Sequence, residues 1–151
     1  MRFEKLIGSP LGLLTLVSDG EYLNEIRFGD VTQGGPSCPL LEQAEQELRE
    51  YFENARCEFT IPLSASGTVF QKRVWDALRA IPYGETASYA EIAERIGNPK
   101  ACRAVGSANH QNPLPIVIPC HRVIGKNGDL TGYAGGMEMK EFLLGLETRK
   151  R

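Results

Sequence analysis

Cys120 and His121 stand side by side in the run PIVIPCHRV, residues 115–123. Their chemistry is nucleophilic: the reactive form of a cysteine is the thiolate, and a free thiol with pKa near ~8.5 stays mostly protonated at neutral pH unless a base or a positive charge is close. His121 can act as that base, so Cys120 is predicted to be a nucleophile. Ile116, Val117 and Ile118, enclosed by Pro115 and Pro119, read as a short extended segment in a core, because proline fixes φ and forbids helix continuation. Such a segment would support the thiol rigidly. An isolated Cys-His pair would equally suit a structural cysteine beside a surface histidine, and the surrounding elements have to decide.

In the same half of the chain, Val69, Phe70, Val74, Ala77, Leu78 and Ile81 recur at helical spacing. They predict a helix over 68–81 with one buried face, on which Trp75 is packing. Ser88 and Glu91 form a capping-box pattern that opens a helix reaching Ile96, and Gly97 ends it. Asn98 is placed to cap a further helix with Pro99 at its first position. Ala101, Ala104, Val105 and Ala108 would line one face of that helix by periodicity. Two short helices across a Gly-containing turn resemble a helix-turn-helix. Arg103 lies about 200° round from Ala101 at ~100° per residue, and so points away from that face. Met139, Phe142, Leu143 and Leu146 define a last apolar helix face with Glu147 beside it. A carboxylate there is either desolvated and oriented or an ordinary charge at a helix end.

The first 66 residues read as strands near 2–7, 11–18 and 22–28, split by Gly8-Ser9-Pro10 and Asp19-Gly20, with a helix near 39–54. Residues 29–38, rich in Gly, form a flexible loop, and residues 64–68 form a linker. The expected fold class is α+β, with a small N-terminal α/β domain over residues 1–66 and a mainly helical C-terminal domain over residues 67–151.

Composition excludes several classes. No apolar run approaches the roughly 20 residues that cross a bilayer, and the first residues lack a signal peptide's apolar centre, so a cytoplasmic protein is expected, away from the membrane. Four cysteines lie far apart, and the only histidines are His110 and His121, which is poor zinc spacing, so no metal is expected. The net charge of −2 is unevenly spread. Residues 1–66 hold 5 Lys+Arg against 11 Asp+Glu, whereas residues 67–151 hold 12 against 8. The positive half carries the motifs above, which is compatible with DNA contact there, although a solvated imbalance is the commoner origin of such a difference.

The run from Asn112 through Pro119-Cys120-His121-Arg122-Val123 resembles the active-site signature of the O6-alkylguanine-DNA alkyltransferases. The resemblance covers nearly all of residues 67–147: Phe70 and Trp75, Pro82-Tyr83-Gly84, Ser88-Tyr89, Asn98-Pro99-Lys100, Arg103-Ala104-Val105-Gly106, Gly132-Tyr133-Ala134-Gly135-Gly136, and residues 140–147. It implies a ribonuclease H-like N-terminal domain, and a protein that flips O6-alkylguanine, mainly O6-methylguanine, out of double-stranded DNA and moves the alkyl group irreversibly to Cys120.

By the same resemblance, Glu147 orients His121, which draws the Cys120 proton through a water, and Asn112 braces the turn around the site. Tyr89 and the carbonyls of Cys120 and Val123 recognise the guanine edge, the N–H of Ala134 faces O6, and Tyr133 with Gly135 walls the pocket. Thr131 stands at the pocket rim. Arg103 is the finger that fills the vacated stack, and Ala101, Ala104, Gly106 and Ser107 lie against the minor groove. The resemblance thus turns Ala101 and Ala104 outward where periodicity would bury them, and that orientation is adopted here. No cofactor is implied, and the protein would act as a monomer, with cooperative assembly on DNA left open. A cysteine hydrolase would also use Cys and His, yet it regenerates its thiol each cycle. A non-catalytic lesion-binding helix-turn-helix protein is the other alternative, but such relatives replace the reactive cysteine.

Overall fold

The structure is a computed structural model, and it describes residues 1–130, 133 and 135–148. The chain forms two compact units that divide after Ser66. The class is α+β, as expected.

In the first unit, β1 (Phe3–Ser9), β2 (Gly12–Ser18) and β3 (Leu23–Phe28) form an antiparallel meander in the order β1-β2-β3. The register pairs Ile7 with Leu14 and Leu16 with Ile26, which places their side chains on the face covered by α1 (Pro39–Phe52). Leu14, Leu16, Leu23, Leu41, Leu48 and Tyr51 are fully buried there. The Gly-rich stretch after β3 is held, not loose. The buried Glu4 carboxylate accepts the N–H groups of Gln33 at 2.6 Å and Gly35 at 2.8 Å.

The second unit contains α2 (Val69–Arg79), β4 (Ala87–Ser88), α3 (Tyr89–Arg95), α4 (Cys102–His110), β5 (Val123–Ile124) and α5 (Met137–Thr148). Capping boxes start α2 at Thr68 with Gln71, and α3 at Ser88 with Glu91. Val74, Trp75 and Leu78 are buried on α2, and the Trp75 indole N–H donates to the Ala108 carbonyl at 2.8 Å. Val69 is not part of that face: it occupies the first helical position and is 78% exposed.

The start of α4 also differs from the sequence expectation. Gly97, at φ +80°, ends α3 with Gly97 N–H on Glu94 and Asn98 N–H on Ala93, a Schellman closure. Asn98 is thereby committed to the end of α3, its carbonyl accepts the Ala101 N–H in a turn, and α4 begins only at Cys102 with Ala101 as its N-cap. Outward placement on α4 follows the resemblance, not the periodicity. Arg103, Ala104 and Ser107 are exposed and Ala101 is half-buried, while Val105, Ala108 and Asn109 face the core.

Candidate active site

Residues 115–118 are buried, as their composition requires, but they make a turn and not an extended segment. Ile116 sits at φ +76°, a region that a β-branched residue adopts only at a cost of order 1–3 kcal/mol. The Ile118 N–H reaches the Leu114 carbonyl at 2.9 Å, and the Cys120 N–H reaches the Ile118 carbonyl at 2.7 Å. Asn112 supplies what a neighbouring strand would have supplied. Its amide donates to the Ile118 carbonyl at 2.8 Å and its oxygen accepts the Leu114 N–H at 2.9 Å. Buried backbone groups need such partners, so this side chain makes the compact turn possible.

The chain leaves the turn at Pro119 and winds one 3-10 turn, Cys120–Arg122, before entering β5, which pairs in parallel with β4. Cys120 is 2% exposed and His121 is fully buried. The Nε2 of His121 lies 2.6 Å from the Glu147 carboxylate on α5. Arg122 grips the same carboxylate with both arms of its guanidinium, Nε on Oε1 at 2.8 Å and Nη2 on Oε2 at 3.0 Å. Its third nitrogen donates to the Ile81 carbonyl at 2.6 Å.

Electrostatics then fixes the protonation states. Burial would raise the Glu147 pKa, but the hydrogen bonds from His121 and Arg122 prevail and hold it at about 2. Burial lowers the His121 pKa against the pull of Glu147, with Arg122 and Lys140 adding to the lowering. At neutral pH the pair is therefore a carboxylate and a neutral imidazole that donates through Nε2. Nδ1 is the remaining basic nitrogen, and it is buried without a hydrogen-bond partner among the described residues.

The thiol does not rest as a thiolate. Burial pushes Cys120 up to about 11, opposed by a hydrogen bond from Asn112, the charge of Lys140, and the N–H groups of Cys120 and His121. For Cys120 to act as a nucleophile its proton has to leave as it reacts, and the neighbouring imidazole is a base of suitable chemistry to take it.

Around this centre, Tyr89 is the first residue of α3 and half-buried, with its hydroxyl pKa raised by burial and by nearby Cys120. Gly106 lies beside its ring, where an added Cβ would come within 3.9 Å. Tyr133 is buried, and that burial, with Cys120 nearby, raises the pKa of its hydroxyl well above the ordinary value. Val123 is buried at the start of β5, and the Cys120 carbonyl accepts its N–H as well as the Asn109 amide at 3.4 Å. Gly135 is described and half-buried. Thr131 and Ala134 lie outside the described residues.

Residues 69–149 match the family described as 6-O-methylguanine DNA methyltransferase, DNA binding domain, and residues 3–65 match its ribonuclease-like domain. The chain belongs to the 6-O-methylguanine DNA methyltransferase family. A methyltransferase of this family from Methanosarcina acetivorans, the methylated-DNA–protein-cysteine methyltransferase, is 49% identical over 146 residues, covering 92% of this chain and 94% of the relative. The crystal structure of the Mycobacterium tuberculosis O6-methylguanine methyltransferase superposes with a TM-score of 0.90 at 47% identity, covering 98% of this chain and 93% of that one. The Mycobacterium tuberculosis OGT in complex with DNA gives a TM-score of 0.90 at 46% identity, covering 97% and 92%.

Within this methyltransferase chain, sequence reasoning missed three polar residues of the site. Arg122 was quoted only as part of a motif, yet it binds Glu147 more extensively than His121 does. Lys140 is fully buried, its ammonium 5.9 Å from the Tyr89 ring centre and without a hydrogen-bond partner among the described residues. A signal for it existed, since Lys140 lies seven residues before Glu147 and so shares its helix face. Asn109 reaches the Cys120 carbonyl from α4, and nothing in its spacing announced that contact. Among the described residues, no group of three or more His, Cys, Asp or Glu is placed to hold a metal, and no helix is long and apolar enough to cross a membrane.

Proposed function

We propose that this chain reverses O6-alkylguanine damage in duplex DNA by moving the alkyl group to Cys120, once per molecule. The observation that carries the reading is a buried cysteine next to a neutral histidine whose Nε2 is fixed at 2.6 Å by an ionised glutamate. In the reaction, the sulfur bonds to the alkyl carbon as the carbon–O6 bond breaks. The thiol proton passes to His121 through a water, and the departing guanine is restored on taking up a proton. A thioether offers no easy leaving route, so the thiol is not regenerated.

The target atom is stacked inside a duplex, so the base must enter a protein pocket. Tyr89, Val123, Tyr133, Ala134 and Gly135 are the residues we assign to that pocket, with Thr131 at its rim. The exposed row of Arg103, Ala104 and Ser107 on α4, with Gly106 and Ala101 at its border, supports approach to a minor groove, where small side chains allow contact and an inserted side chain can replace an unstacked base. None of the four cysteines is in a disulfide, which supports a reducing compartment, in keeping with a cytoplasmic protein.

The test is direct. After incubation with an oligonucleotide duplex carrying O6-methylguanine, intact mass should show one added methyl group per chain, located on the Cys120 peptide. An unmodified chain, or catalytic release of product beyond one equivalent, refutes the reading.

A further inference from the structure

The Pro82-Tyr83-Gly84 turn closes on itself through the Glu85 N–H on the Pro82 carbonyl at 3.0 Å, and it also packs against Arg122 and Glu147. Ile81, just before it, accepts the Arg122 Nη1 at 2.6 Å. The Tyr83 ring lies beneath the guanidinium, 5.7 Å from ring centre to Cζ. The Gly84 N–H points at Glu147 Oε1 at 3.4 Å, and Gly84 takes φ +83°, where a side chain would be strained and would press within 3.3 Å of the Glu147 carbonyl. Arg122 is thus seated on one side by this turn and committed on the other to both oxygens of Glu147.

We propose that Arg122, seated on the Pro82-Tyr83-Gly84 turn, is a positioning residue for alkyl transfer: by compensating the Glu147 charge it keeps His121 neutral, with Nδ1 open to accept the Cys120 proton. This rests on the function proposed above. An uncompensated buried carboxylate 2.6 Å from an imidazole favours the imidazolium, because the opposite charge stabilises the protonated ring. An imidazolium cannot accept a proton. A guanidinium on the same carboxylate offsets that pull while its planar fork fixes both oxygens, which an ammonium cannot do. The charged and titratable groups facing His121 are Glu147 and Lys140 from α5, with Arg122 and Cys120 from its own turn. Of these cations, Arg122 alone bonds the carboxylate that holds the ring.

The experiment measures the single-turnover methyl-transfer rate against pH for the full chain and for Arg122→Gln, Arg122→Lys and Tyr83→Leu, with near-ultraviolet circular dichroism as the check on folding. In Arg122→Gln the acid limb should move to higher pH, with the rate at a fixed pH on the limb falling about tenfold for each unit of displacement and recovering in alkali. Arg122→Lys should keep the limb near its parental position and lower the plateau, since charge is retained and the fork is lost. A role confined to packing predicts a lower plateau in all variants with the limb unmoved. An unmoved limb in Arg122→Gln overturns the proposal. If that variant does not fold, the limb is read in Tyr83→Leu, which only loosens the guanidinium; it must move the same way by less, and no movement there overturns the proposal. A parent chain that takes up no methyl on Cys120 refutes the function itself, whereas methylation with an unmoved limb refutes only the role of Arg122.

Discussion

Replacing Glu147 by glutamine tests the centre most sharply, because shape is preserved while charge and hydrogen-bond polarity change. The ionised carboxylate is held at about 2 against an ordinary 4.5, a gap that corresponds to roughly 3 kcal/mol of favourable interaction in the folded state. Because the folded pKa is depressed, this contribution is present above about pH 4.5 and is lost as pH falls toward 2. Three side-chain donors converge on the group, Arg122 Nε, Arg122 Nη2 and His121 Nε2, with the Gly84 N–H more distant at 3.4 Å. A carboxylate accepts all three, but a glutamine has one accepting oxygen and turns an N–H2 toward at least one of them. If the amide faces His121, the imidazole must carry its proton on Nδ1, and the base is lost. If it faces Arg122, a buried guanidinium loses its counter-charge.

Glu147→Gln should therefore lower stability by about 2–3 kcal/mol at pH 7, and the gap to the parent should narrow below about pH 4.5 and close only as pH falls to about 2. It should slow single-turnover transfer by roughly 10²–10³-fold, the scale of a displaced general base. DNA affinity should stay within a few-fold, because Glu147 is 5% exposed and offers no surface to a duplex. Rapid-quench methyl transfer, urea unfolding across pH, and fluorescence anisotropy with methylated duplex measure the three quantities. A transfer rate within about twofold of the parent would show that the His121–Glu147 contact serves the fold alone.

Three further outcomes follow from the same geometry. Cys120→Ser should bind methylated duplex but transfer no methyl group, because a hydroxyl is far harder to ionise than a thiol in the same buried place; a methylated Ser-containing peptide by mass spectrometry would remove Cys120 from its assigned role. Arg103→Ala, on the exposed face of α4, should reduce repair of duplex DNA by much more than reaction with the free base O6-benzylguanine, since only the duplex requires an unstacked base to be replaced, at a few kcal/mol; equal losses on both substrates would assign Arg103 to general charge. Trp75→Phe should destabilise the chain by roughly 1–3 kcal/mol in urea, because it abandons the Ala108 carbonyl and thins a buried contact; a change below about 0.5 kcal/mol would mean that the indole N–H contributes little.

What could be read from the sequence is what local chemistry dictates. Ser88 with Glu91 announced α3 because each side chain satisfies a backbone group of the other's turn, and the structure closes both bonds. The same logic was available at Thr68 and Gln71, where the box starts α2 one residue before the exposed Val69. Legibility stopped where one residue had two competing uses. Asn98 has the composition of a cap for α4, but its N–H closes α3 behind Gly97, and no spacing rule ranks those options. Likewise, apolar residues between prolines looked extended because burial usually needs strand partners. Asn112 supplies the partners from within the loop, and the left-handed φ of Ile116 has no signature in residue type.

The polar members of the site were hardest to foresee for a reason built into hydrophobicity itself. Arg122 and Lys140 belong to the residue types most often found in water, so composition assigns them to the surface, yet they are 7% and 0% exposed. Each is tolerated inside because of what it faces. Arg122 is neutralised by Glu147, and Lys140 lies where burial lowers its pKa while the Cys120 charge raises it. Lys140 therefore gains most when Cys120 is negative, as the sulfur becomes while its proton leaves. The thiol, pushed up to about 11 by the same burial, gains from Lys140 in turn. Each group's charge thus favours the charged form of the other, a coupling between α5 and the Cys120 turn that residue spacing along the chain does not reveal.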